Sequence, residues 1–268
     1  VNNGMNEIVL KGCQPIPVSS YLKALGILRL VATQKDQAAR GFWNENDNFV
    51  LVTKFTQEEI VEFFLNEYKP SPMTDPWNGG SGFYKREDKS TGLRTKPTKA
   101  TLIVDDIISS KSERLRQLRN LLTMTRSILS GLGYTSSPAN DVKAELLSSL
   151  RSSLPDEALD WLDASTVLGD SPSYPALLGT GGNDGNLDFA NNYYQRLFDV
   201  FAFDTGEPTP FSQIWIDSAL SGKAISGLTR GTAIGQFNPG SSGGINSTAG
   251  FDDQSVVNPW EYILMIEG

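Results

Sequence analysis

Glu7-Ile8-Val9-Leu10-Lys11-Gly12-Cys13-Gln14-Pro15-Ile16-Pro17-Val18 changes character midway, and that change decides the fold class. Glu7 to Lys11 reads as a short strand, which Gly12 and the prolines at 15 and 17 bring to an end. From Val18 to Thr33 the spacing predicts a helix, with Ser19 or Ser20 near its start. Its apolar residues (Tyr21, Leu22, Leu25, Ile27, Leu28, Leu30, Val31) cover most of the circumference, the mark of a central core helix. Strand and helix this close predict a mixed α+β protein.

Further along, Phe49 to Thr53 reads as a second strand. Thr56 and Glu59 form a capping box for a helix whose buried side carries Ile60, Phe63, Phe64 and Tyr68. Thr101 to Ile108 is apolar enough for a strand or a helical turn. From Ser110, with Glu113 as its capping partner, a long helix is expected to about Gly131. Leu115, Leu118, Leu122 and Leu129 line one face of it, and Arg114, Arg116, Arg119 and Arg126 spread over the rest. Helical spacing returns at 141–150, 155–168, 188–203 and 210–220. Asn258-Pro259-Trp260-Glu261 reads as a helix start, with Asn258 as cap and Glu261 placed to bond back. The expected class is α+β, helix-rich, with a few short strands and long glycine-rich loops.

Composition narrows the chemistry. The 268 residues contain no histidine, which removes Ser-His-Asp and Cys-His catalysis and His-ligated metals from within this chain. One cysteine, Cys13, forms no internal disulfide or Cys-rich zinc site. Following Ile8-Val9-Leu10, it reads as a buried, inert thiol. No apolar run is long enough for a membrane helix. Met5 leads into Asn6-Glu7 and not into a charged and then apolar start, so a cytoplasmic location is expected. Val1 to Gly4 reads as a vector-encoded remnant, and residues 5–268 as one domain with a subdivision open near 132–140.

The net charge of −8 is unevenly spread. Residues 1–84 carry 7 basic and 9 acidic side chains, residues 85–126 carry 11 and 5, and residues 127–268 carry 5 and 17. The middle block is the positive territory, and an anionic partner belongs there. Immediately before it stands Asp75-Pro76-Trp77-Asn78-Gly79-Gly80-Ser81-Gly82-Phe83-Tyr84, inside a stretch from Lys69 to Lys99 without apolar periodicity. Loops this long are functional or disordered. Its glycines let a ligand approach the backbone, and Trp77 with Phe83 and Tyr84 can anchor it. Lys85, Arg86, Lys89, Arg94, Lys96 and Lys99 are the expected phosphate contacts, with Asn78, Gly79, Gly80 and Ser81 near base edges.

Gly179-Thr180-Gly181-Gly182-Asn183-Asp184-Gly185 lacks the Gly-Lys-Ser/Thr ending of a P-loop and the glycine spacing of a dinucleotide fold. Asp105/Asp106 and Asp252/Asp253, with Asp184 and Asp188, leave open a Mg²⁺-dependent nuclease. A purely architectural subunit without DNA contact is the other alternative.

Taken together, the motifs carry a resemblance. Lys11-Gly12-Cys13-Gln14-Pro15 followed by Ser20-Tyr21-Leu22-Lys23-Ala24-Leu25-Gly26 resembles the N-terminal signature of the large subunit of subtype I-G (formerly I-U) CRISPR effector complexes. Pro76 to Phe83, Gly179 to Gly185, Asn238-Pro239-Gly240 and Asn258-Pro259-Trp260 resemble the same family in the same order. The family's subunit is longer, so this chain would be its N-terminal part, consistent with an apolar last helix that lacks further partners. The resemblance implies a non-catalytic subunit without cofactor or metal. It would work with the crRNA-bound backbone and other Cascade subunits, recognise the protospacer-adjacent motif in target double-stranded DNA, help open it, and support recruitment of the helicase-nuclease.

Overall fold

The computed structural model describes residues 4–85, 91–92, 97–139, 142–166, 189–226, 228–233, 237–242 and 254–268. Along the chain these form β1 (Asn6–Leu10), α1 (Val18–Gln34), β2 (Arg40–Trp43), β3 (Phe49–Thr53) and α2 (Gln57–Glu62), which runs into a π-helical turn at Phe63–Glu67. Then come α3 (Lys99–Ser109), α4 (Arg116–Gly131), α5 (Lys143–Ser153), α6 (Asp156–Ser165), α7 (Phe189–Val200) and α8 (Ser212–Ser221). β4 (Thr229–Ala233), a 3₁₀ turn at Pro239–Ser242, β5 (Gln254–Val257) and α9 (Pro259–Glu267) close the series. The fold is α+β and helix-rich, as the sequence predicts.

Two compact units share the chain. Residues 1–68, 199–202 and 207–268 make unit 1; residues 69–198 and 203–206 make unit 2. Residues 132–140, where a subdivision was open, fall inside unit 2.

Unit 1 is built on a three-stranded antiparallel sheet in the order β1-β3-β2. Ile8 pairs with Leu51 and Leu10 with Phe49, and all four are buried on the core face. Alternation puts Val9 and Phe42 on the other, exposed face, opposite Val50. β2 was not expected. Its Gly41 lies under the Phe49 ring, where a Cβ would come within 2.1 Å of the ring's far carbon. β2 and β3 form a hairpin closed across residues 44–48, and four residues that include a glycine carry too little apolar alternation to announce a strand.

α1 is the core helix expected, but its buried stripe is not simply apolar: Lys23, Ala24, Gly26, Ile27, Leu30 and Val31 face inward, while Tyr21 is exposed. Gly26 marks the closest approach, since a Cβ there would stand 2.0 Å from the Leu264 carbonyl of α9. α9 is thus no unpartnered helix. It is buried from Pro259 to Glu267 except for the half-exposed Glu261. Trp260 packs with Phe64, Tyr68 and Phe201 at centroid distances of 5.5–5.8 Å. Its indole Nε1 donates to Ser212 Oγ at 2.9 Å. At the other end, the Tyr68 hydroxyl donates to Glu267 Oε1 at 2.7 Å, and Arg29 Nε donates to the Glu267 carbonyl at 2.7 Å. The Thr56 capping box has both its bonds, and Ile60, Phe63, Phe64 and Tyr68 are all buried as expected. Asn258 caps α9 by accepting from Trp260 N, whereas Glu261 turns to Lys23.

Asp36, just beyond α1, ties that helix to the sheet. Its carboxylate accepts from Thr53 Oγ1 at 2.6 Å and from the amides of Lys54 and Ala38. Burial pushes its pKa up, but these hydrogen bonds outweigh burial and hold it below the ordinary carboxylate value. A depressed folded-state pKa contributes stability above the unfolded value of about 3.9, and that contribution is lost as the pH falls through the folded value. Asp36→Asn should therefore cost about 1–2 kcal/mol at pH 7. The difference from the parent chain should shrink below about pH 4, as measured by urea unfolding at pH 7 and pH 3.

In unit 2 the ambiguous 101–108 segment is helical. Thr98 caps α3 by accepting from Thr101 N, and Ile103, Val104 and Ile107 are buried. The long helix begins later than Ser110, at Arg116, because side chains claim the intervening backbone. Ser110 Oγ donates to the Phe203 carbonyl, and Arg119 Nη1 donates to the carbonyls of Ser110 and Ser112. Leu115, Leu118, Leu122 and Leu129 are buried as read. Two of these arginines hold structure: Arg114, just before the helix, donates through Nε to the Gly206 carbonyl, and Arg126 pairs with Asp105 at 2.7 Å. α5, α6 and α7 fall on three of the helical windows, and α8, in unit 1, on the fourth, with bounds that differ by up to three residues.

Candidate nucleic-acid interface

The glycine loop is a packed strap within unit 2. Met73, Trp77 and Tyr84 are buried, so the aromatic anchors do fix it. Asn78 organises the turn: its amide donates to the Asp75 carbonyl, its own carbonyl accepts from Ser81 N, and its Oδ1 accepts from Gly80 N. The Tyr84 hydroxyl closes the turn by donating to the Pro76 carbonyl. Gly82 sits at φ +92°, and a Cβ there would stand 2.4 Å from the Ala100 carbonyl. Only glycine fits that conformation in that space.

A residue that sequence reading missed clasps the loop from α7. Asn191, 1% exposed, donates through Nδ2 to the carbonyls of Ser81 and Ala100 at 3.3 and 3.1 Å. From the same helix the Tyr194 hydroxyl donates to the Met73 carbonyl at 2.6 Å. Burial first, and then the nearby Asp75 carboxylate, raise the Tyr194 pKa far above its ordinary value. Burial, then Tyr134 and Asp75, do the same for Tyr84, so both phenols stay neutral in neutral solution.

The predicted contacts therefore divide. Gly79 is exposed, and Asn78 and Gly80 are half-buried at the surface. Ser81 faces inward and is fully buried, so its hydroxyl is not offered to an outside base in this conformation. Lys85 and Lys99 are exposed, whereas Arg86, Lys89, Arg94 and Lys96 lie outside the described residues. Thr101 Oγ1 donates to the Tyr84 carbonyl at 3.4 Å, which joins the start and the end of the 85–99 segment at one neck. Lys99 opens α3, the end of a helix where a cation is disfavoured by about 0.3–1 kcal/mol. An external anion would offset that cost.

Unit 1 holds a cavity of about 230 Å³. Gly12, Ser20, Lys23, Asn238 and Glu261, widely separated in sequence, all line it. Lys23 is 5% exposed and its Nζ donates to Glu261 Oε1 at 2.8 Å. A lysine inside the buried stripe of a core helix was the available signal, and its partner 238 residues away was not visible. Cys13 is fully buried nearby, and burial pushes its thiol up to about 11, in keeping with the inert reading.

The aspartates considered for a metal are mostly out of view: Asp184, Asp188, Asp252 and Asp253 lie outside the described residues, as does Gly179 to Gly185. Asp105 is engaged by Arg126. Among the described residues no cluster of three metal-ligating side chains occurs, and no helix is long and apolar enough to cross a membrane. No family model matches this chain, and no curated protein matches it significantly.

Proposed function

We propose that this chain is a non-catalytic, DNA-contacting part of the large subunit of a type I CRISPR surveillance complex of subtype I-G. It contributes to recognition of the protospacer-adjacent motif and to opening of the target duplex, in the cytoplasm, alongside the crRNA-bound backbone and other Cascade subunits. The helicase-nuclease would follow once target is bound. The observation that carries this reading is the neck at Tyr84 and Thr101. The six cations from Lys85 to Lys99 lie in sequence between these two joined residues. A rigid scaffold carrying a cationic loop is suited to hold a phosphate backbone in register.

Support also comes from the resemblance motifs. Two of them contain Gly26 and Gly82, positions where a Cβ has no room. The test is omission. A complex assembled without this subunit should lose motif-dependent duplex binding while keeping crRNA, as measured by mobility shift on targets with and without the flanking motif. Equal binding with and without the subunit would overturn the reading in favour of an architectural role.

A further inference from the structure

We infer that the unit 1 cavity is a pocket for a single unstacked nucleobase, and that its hydrogen-bonding groups select guanine. At about 230 Å³ it is much roomier than the roughly 30 Å³ of one water, yet smaller than the roughly 300–1,000 Å³ of sites that enclose drug-sized ligands. Such a space takes one ring system and leaves a sugar and phosphate outside.

Its charges rule out a simple anion site. Although α1 begins here, Ser19 N already donates to the Phe237 carbonyl at 2.9 Å. Ser20 Oγ is occupied as well, accepting from Gln14 N at 2.8 Å and donating to the Gly12 carbonyl at 3.2 Å. Above all, the Glu261 carboxylate stands beside the Lys23 ammonium and would repel a phosphate. The pair is neutral in sum, and it suits a neutral ligand.

The pair is also directional. An ammonium has three donors, of which Glu261 Oε1 takes one, and the carboxylate has a second oxygen. Donor and acceptor therefore stand side by side on the cavity wall. Guanine matches them best among the bases. Its O6 and N7 accept from a lysine, while the neighbouring N1–H and N2–H₂ give a carboxylate two adjacent donors. Met265, Val257 and Tyr262 line the cavity too and give it apolar character for the faces of the base. Asn238 and the exposed Ser241 line the cavity as well and give it polar groups for the sugar.

The same base can come from a free nucleotide or from an unpaired strand, and only the second source rests on the DNA-contacting reading above. The experiment titrates the purified chain calorimetrically with GMP, AMP, CMP and UMP. A second arm uses a thymidine-only oligonucleotide and the same oligonucleotide with one guanine. GMP should bind about tenfold or more tighter than the other monophosphates. Glu261→Gln, which sets an amide N–H against N1–H, should erase the preference, as should Lys23→Met. Glu261 is half-exposed, so its substitution tests the pocket even if Lys23→Met fails to fold, and circular dichroism reports which variants are folded.

A gain from the single guanine assigns the strand as source, and a preference confined to GMP assigns the free nucleotide. Equal binding of the four monophosphates, no binding of GMP, or a guanine preference that survives Glu261→Gln overturns the proposal. None of these outcomes depends on the basic loop, so the duplex-binding reading stands or falls separately.

Discussion

Trp260→Ala is expected to destabilise unit 1 by about 3–5 kcal/mol. The side chain is fully buried and meets Phe64, Tyr68 and Phe201 in edge-on or tilted contacts, each worth something beyond its buried area. Truncation leaves a cavity that three rings cannot collapse into, and it strands Ser212 Oγ without its indole donor. Because whole domains are stable by only about 5–15 kcal/mol, the loss consumes a large fraction of what holds the unit together. Hydrogen exchange is the right measurement, since it reads the two units separately. Amides of α1, α8 and α9 should lose protection by two to four orders of magnitude, roughly the exchange equivalent of that energy. Retained protection in α9 would show that the aromatic cluster is not the core of unit 1.

The second large effect concerns binding. Reversing Lys85, Arg86, Lys96 and Lys99 to glutamate should weaken duplex binding by the assembled complex and flatten its dependence on salt. If all four meet phosphates, the slope of log affinity against log salt falls by about 3.6, or about 0.9 for each contact. Near 0.15 M salt that corresponds to a loss of about a thousandfold. Lys85 and Lys99 are exposed, so the changes at these two should leave the fold intact. An unchanged slope would remove the basic segment from the interface. A lower affinity with an unchanged slope would place its effect on assembly and not on phosphate contact.

Much of the fold was legible where local chemistry decided it. β1, α1 and β3 follow from apolar period, and the Thr56–Glu59 box announces α2 because both of its bonds are local. The start of α4 was misread at Ser110 since the competing acceptor, the Phe203 carbonyl, lies 93 residues away. α9 looked unsupported because its partners, α1 and α8, are distant in sequence. The candidate site shows the same divide. Trp77 and Tyr84 could be named as anchors from residue type alone. The inward turn of Ser81 could not, because it depends on Asn191, 110 residues further on. Likewise the core lysine was in plain view at position 23, while the carboxylate that neutralises it needed the tertiary structure.

The interleaving of the two units has a consequence for biosynthesis. Unit 2 is spelled by nearly continuous chain, from Lys69 to Gly206, whereas α1 and its neighbour α9 are encoded on either side of it. Lys23 leaves the ribosome 238 residues ahead of Glu261. At about 5–20 residues per second that is a wait of roughly 10–50 s, during which a sticky amphipathic segment has no native mate. Translation speed and chaperone supply therefore bear on the yield of correctly assembled protein.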